Sequence, residues 1–119
     1  MKKLLILPLL LAIFSFTNIS GTQQLLKTQL IVTVLDDLGN IQEGAKVTLY
    51  ENEDDYNNLE NPALESRVTN QKGQVRFIGL KNVPYYVAAQ KGDNDNFLRG
   101  EKTKPLDKGK FNKINVIID

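Results

Sequence analysis

Leu30-Ile31-Val32-Thr33-Val34-Leu35, stopped by Asp36-Asp37-Leu38-Gly39-Asn40 and followed by Ala45-Lys46-Val47-Thr48-Leu49-Tyr50, decides how this chain folds. The first run is rich in β-branched residues, which suit a pleated, half-buried surface. Asp and Asn close turns by bonding the nearby backbone, and Gly tolerates positive φ, so residues 36–40 end a strand. The second run alternates, with Ala45, Val47 and Leu49 on one face and Lys46, Thr48 and Tyr50 on the other. Two strands of this kind define a β domain.

Working outward, a polar connection runs from Glu51 to Pro62, with at most an incidental helical turn over residues 54–59. Leu64 to Thr69 is a weaker strand, and Asn70-Gln71-Lys72-Gly73 is a tight turn. Gln74 to Leu80 alternates again, with Val75 and Phe77 inward. Pro84 to Gln90 is a strand that begins at Pro, where the missing N–H does no harm. A Gly-Asp-Asn-Asp-Asn turn, a poor strand over Phe97 to Thr103 and a basic loop from Lys104 to Lys110 follow. Phe111 to Ile118 closes the domain with Ile114, Val116 and Ile118 on one face. Seven short strands separated by turn signals predict an all-β, seven-stranded antiparallel sandwich. Its predicted core is Leu30, Val32, Val34, Ile41, Ala45, Val47, Leu49, Val68, Val75, Phe77, Leu80, Tyr85, Val87, Ile114, Val116 and Ile118.

Met1-Lys2-Lys3, the apolar run Leu4 to Phe16 and the small or polar Thr17-Asn18-Ile19-Ser20-Gly21 have the layout of a secretory signal peptide. The run is shorter than the ~20 residues of a membrane span. Residues 1–21 are read as the cleaved signal and 22–119 as one β-sandwich domain, exported to the periplasm or outside the cell. No Cys follows the apolar run, so no lipoprotein anchor or other stable membrane anchor is expected after cleavage. The whole chain of 119 residues has 15 basic and 14 acidic side chains; loss of Lys2 and Lys3 leaves a net charge of −1. Such a balance gives no general attraction to nucleic acid. With no His and no Cys, imidazole bases, Ser-His or Cys-His pairs and ordinary zinc sites are excluded, and no cofactor is expected.

The pattern Val32-x-Val34-x-Asp36-x-x-Gly39-x-Ile41-x-x-Gly44-Ala45-x-Val47-x-Leu49-Tyr50 continues in Thr69-Asn70-x-x-Gly73-x-Val75-x-Phe77-x-x-Leu80 and Tyr85-x-Val87. Over about residues 28–119 it resembles the prealbumin-like sandwich of carboxypeptidase regulatory-like domains, related to the B-type repeats of Gram-positive collagen adhesins. The resemblance implies fold more than activity, because such sandwiches host many roles. A transthyretin-like hydrolase of this fold class depends on His residues, and this chain has none. The adhesin repeats join a Lys near the end of the first strand to an Asn or Asp of the last, helped by a buried Glu. Here Asn115 is present, but Val34 and Leu35 stand where the Lys would be and Lys27 comes too early, so no isopeptide bond is expected.

Strand parity assigns connections 36–44, 70–73 and 91–96 to one end of the sandwich, and 51–63, 80–84 and 104–110 to the other. The first end gathers Asp36, Asp37, Asp93 and Asp95 with several Asn, oxygen ligands of the kind Ca²⁺ takes. Asp93 to Leu98 lacks the Gly and distal Glu of an EF-hand loop, so turn formation is the preferred reading and no metal site is assigned. At the second end, residues 51–65 carry six acidic and no basic side chains. Residues 99–113 carry Arg99, Lys102, Lys104, Lys108, Lys110 and Lys113 against Glu101 and Asp107. A solvated surface with weak attraction between these loops, or lysines guarding an edge strand, is the preferred reading over contact with an anionic envelope polymer.

Scattered surface carboxylates do not make the paired acid and base of a glycosidase. The function predicted is a non-catalytic interaction or structural accessory module of the cell envelope, its partner an envelope protein or glycan. The alternative is carbohydrate binding through the 51–63 loop, with Tyr56 as an aromatic platform beside Asn57, Asn58 and an outward Tyr86. Against it stands the preferred reading of Tyr56, a ring folded back onto the sheet to close the long loop. N-terminal sequencing of protein recovered after export is expected to start within a few residues of Thr22; a start at Met1 would refute the signal peptide.

Overall fold

The computed structural model describes residues 26–119, so the signal segment 1–21 and the first residues of the predicted domain lie outside the described part. Its elements are β1 (Gln29–Asp36), β2 (Lys46–Tyr50), α1 (Glu53–Asn58), β3 (Arg67–Val68), β4 (Gln74–Ile78), β5 (Tyr86–Lys91), β6 (Asn94–Asp95) and β7 (Phe111–Ile118). They form two sheets, ordered β4-β1-β7 and β3-β2-β5-β6. The predicted all-β sandwich is therefore present. One pairing departs from the antiparallel expectation: β1 and β7 run parallel, in register from Gln29↔Phe111 to Asp36↔Ile118. Parity explains it, since strands that alternate in direction bring the first and the seventh together pointing the same way.

Between the sheets Leu30, Val32 and Val34 of β1 meet Val47 and Leu49 of β2, with Phe77, Val87, Val116 and Ile118 around them, all buried. Full burial of one such side chain contributes roughly 1.5–3 kcal/mol. Two predicted core residues lie elsewhere. Val68 is 62% exposed. The inward position beside it belongs to Thr69, whose hydroxyl accepts from the Ala45 N–H at 2.9 Å and donates to the Gln42 carbonyl at 2.6 Å. Ile41 is 52% exposed, because its single antiparallel bridge is to Leu35, a position of β1 that faces away from the core. Its Cβ packs on the backbone of Gly73: a methyl added there would lie 2.9 Å from Ile41 Cβ, and φ is +71°. Glycine is required at that approach. Ile114 is only partly buried, although it packs against the core.

Leu106, which the sequence pattern left in a basic loop, is buried in the same cluster. The predicted third strand shrinks to two residues at the sheet edge. The predicted sixth, over 97–103, survives only at its end, where residues 101–103 meet the start of β5 through Val87 N–H to Glu101 O and Thr103 N–H to Tyr85 O. The short strand before it, Asn94–Asp95, pairs with the end of β5 and lies inside the predicted 92–96 turn. In the gap between them, the amide of Asn96 stands in for a strand. It donates to the Val87 carbonyl and accepts from the Ala89 N–H, both at 2.8 Å.

Phe77→Ala is expected to lower stability by about 3–5 kcal/mol through the cavity it leaves, while Val68→Ala stays within about 0.5 kcal/mol. Chemical denaturation followed by tyrosine fluorescence checks both; an unchanged midpoint in the first would refute this placement of the core.

Candidate functional site

The long loop after β2 is organised by α1. Asn52 caps it, accepting from the Asp55 N–H at 2.9 Å, and Glu53, Asp54 and Asp55 place negative charge in its first turn, where the helix dipole favours it. Leu59 ends the helix in the left-handed region at φ 54°. Within α1 the buried side chain is Tyr56, only 1% exposed. Its ring lies 6.1 Å from that of Tyr50, edge-on, and 5.5 Å from that of Tyr86. Its hydroxyl donates to the Asn96 carbonyl at 2.8 Å and accepts from the Gly100 N–H at 3.3 Å. The helix is thus latched to the outer face of the β3-β2-β5-β6 sheet.

Tyr56 and Tyr86 do come together, but as a packed pair that closes the loop. Tyr56 is folded back onto the sheet, as the preferred reading of the loop has it, and is not the outward platform of the alternative, because a phenol ring gains more by covering Tyr50 and filling both of its hydrogen-bond sites than by standing in water. Tyr86 faces away from the main core as alternation requires, partly buried, with the Lys102 ammonium 5.4 Å above its ring. Tyr85 points inward, its hydroxyl accepting from the Lys81 N–H at 3.0 Å. Asn57 and Asn58 are exposed and take no part in that packing.

The acidic end is built from turns. Asp36 Oδ1 accepts from the N–H groups of Asn40 at 2.8 Å and Leu38 at 3.0 Å, and Oδ2 accepts from the Asn40 amide. The Asn40 backbone bond, above all, lowers the Asp36 carboxyl below its usual range, the opposite of what a general acid needs. Asp95 accepts from the Phe97 N–H at 2.9 Å in a similar turn. Among the described residues no three acidic side chains, Asp36, Asp93 and Asp95 included, are grouped to hold a metal. Asn115 is exposed opposite Thr33, while the inward residues of β1 and β7 are apolar.

The charged loops do not neutralise each other. Among the described residues two ion pairs form, Lys81 with Glu51 at 3.3 Å and Arg99 with Asp119. Neither joins the acidic 51–65 segment to the lysines of 102–113. Beside these lysines a groove of about 560 Å³ runs between residues 102–107 and residues 111–114. Leu30, Leu106 and Ile114 give it an apolar floor, and Lys104 and Lys113 stand among its lining. The loop that carries the lysines is fixed by neutral groups. The Asn112 amide donates to the carbonyls of Gln29, Asp107 and Lys110 and accepts from the Asp107 N–H, and Thr28 Oγ1 accepts from the Gly109 N–H. The lysine run was visible in the sequence. The groove was not, because it depends on where β7 pairs.

Burial raises the Tyr56 phenol above its ordinary value, and raises Tyr50 likewise, with the Asp55 charge adding to the latter. A raised folded-state value means that the fold favours the neutral phenol. Its contribution is complete below the unfolded value of about 10 and is lost as pH rises through the folded value. Tyr56→Phe is expected to cost about 1–3 kcal/mol at neutral pH, by orphaning the Asn96 carbonyl and the Gly100 N–H, and to flatten the loss of stability at alkaline pH. Denaturation across pH 7–11 tests it; an unaltered alkaline slope would refute the latch.

No family model matches the chain, and no curated protein matches it in sequence. Solved structures do. The group B streptococcus pilus 2b backbone protein matches 76% of the chain at a TM-score of 0.55 and 17% identity. The Bacillus anthracis TIE protein matches 78% at 0.53 and 18% identity, and a variant of the major pilin subunit of Bacillus cereus 79% at 0.51 and 15% identity. The chain spans 40%, 17% and 30% of those structures, respectively. At these identities the likeness is one of fold: the chain is a β-sandwich of the type found in those pilin domains.

Proposed function

We propose that this is an exported, non-catalytic interaction module of the cell envelope, and that its contact face is the basic strip over residues 102–113. The observation that carries the reading is the state of the lysines there. Five lysines stand against one aspartate, none of them in an ion pair among the described residues, on a segment that neutral contacts already hold. Lys102 rests over the Tyr86 ring, and the charge of the other four is available to a partner. Other polar groups have structural tasks: Asp36 closes a turn, Asn96 completes an edge, and Tyr56 latches a helix. Two of the structural neighbours are a pilus backbone protein and a pilin subunit, which supports an envelope setting.

Washed envelope fractions mixed with the exported protein are expected to retain it at low salt and to release it as ionic strength approaches and passes the physiological range. Lys104→Glu combined with Lys108→Glu and Lys110→Glu is expected to abolish retention without moving the melting temperature. Retention indifferent to salt and to this triple change would refute the basic strip as the contact face.

A further inference from the structure

We propose that the outer edge of β7 receives an extended acidic peptide of a partner protein as an added strand, seated in the groove between β7 and residues 102–107. The proposal rests on the reading of the basic strip as the contact face and names the partner's chemistry. β7 is the last strand of its sheet and pairs with β1 alone. The Gln29 N–H donates to the Lys110 carbonyl, so in a parallel ladder the even-numbered residues of β7 turn their backbone groups to β1. The N–H and C=O groups of Phe111, Lys113 and Asn115 therefore point outward, at a spacing that an incoming strand matches and a glycan does not. Near the far end the edge is closed: the Arg99 guanidinium donates to the Ile117 carbonyl at 3.4 Å, and Asp119 exchanges backbone bonds with Asp95. The open stretch is thus the one that borders the groove.

Strand addition of this kind takes affinity from main-chain bonds and specificity from alternate side chains. Here alternate side chains of the guest would face the apolar floor of Leu30, Leu106 and Ile114, and the others the ammonium groups of Lys104 and Lys113. Apolar and acidic residues in alternation satisfy both. A second copy of this chain is disfavoured at the same edge, because antiparallel β7–β7 pairing would bring two sets of lysines together, and like charges across a strand pair repel.

The probe is a soluble synthetic peptide alternating glutamate and valine, titrated into isotope-labelled exported protein. Binding is expected, with the amide signals of Phe111, Lys113 and Asn115 shifting most. Affinity should fall about tenfold or more when Lys104→Glu and Lys113→Glu are combined. Asn115→Pro, which removes an outward N–H and spares the β1 ladder, should abolish binding. A peptide of the same sequence N-methylated at alternate residues keeps its charge, loses strand pairing and should not bind, a result independent of how any variant folds. Equal binding of the methylated peptide, or binding of polygalacturonate but not of the peptide, would overturn strand addition and leave the basic contact face standing. Absence of peptide binding together with salt-indifferent envelope retention would overturn both. Concentration-dependent dimerisation with shifts at the same three amides would show self-pairing and overturn the partner proposed.

Discussion

Everything in this molecule is arranged around β1. Its inward side chains, Leu30, Val32 and Val34, are wholly buried, and both of its backbone edges are used, one by β4 and the other by β7. A strand so enclosed has no freedom of register, because a one-residue slip would turn three buried aliphatics to solvent and lose several kcal/mol. Fixing β1 fixes its neighbours. β4 can only enter antiparallel from the 70–73 turn, and β7 can only take the remaining edge, parallel. The sheet ends at β4 on one side and at β7 on the other, so β7 keeps one backbone edge free of a neighbouring strand over most of its length.

The second sheet is held by other means. Its middle strands, β2 and β5, pair over five residues and are buried on both faces, one against the main core and the other under α1. Its edges are short, and two side chains complete them. Asn96 bridges Val87 and Ala89 where the chain leaves the ladder, and its own carbonyl receives the Tyr56 hydroxyl. Edge and helix are therefore one cooperative unit: a change at Asn96 loosens α1, and a change at Tyr56 unsettles the 96–100 bulge. Buried polar networks behave in this way because each member's desolvation is offset only while its partner stays in place.

This division explains what the sequence disclosed. β1, β2, β4, β5 and β7 were legible to within about two residues, because burial on one face writes period-two alternation into the chain. β3 and the predicted sixth strand were not. There the decisive contacts come from Thr69 and Asn96, polar residues whose side chains imitate backbone and carry no hydrophobic signal. The inward turn of Tyr56 was legible as the closure of a long polar loop, but its hydrogen-bond partner was not, because that is a carbonyl 40 positions away. Leu106 was missed for the same reason: a single apolar residue among lysines carries no period at all. The charges of the basic strip could be counted from the sequence, whereas their lack of partners follows only from where the loops come to rest.

The basic loop shows how a fold can separate its own stability from the surface it offers. Lysines that took part in holding residues 104–110 would be constrained by folding, and their charge would be partly spent inside the molecule. Instead Leu106 anchors the loop from below, while Asn112 and Thr28 tie its backbone with uncharged hydrogen bonds. The ammonium groups of Lys104, Lys108 and Lys110 project from a scaffold that stays put without them. They also lie next to the open strand edge, where positive charge protects against pairing with another copy. A neutral anchor beneath an unpaired charge lets the same residues repel one kind of strand and attract another, and the fold itself takes no part in the choice.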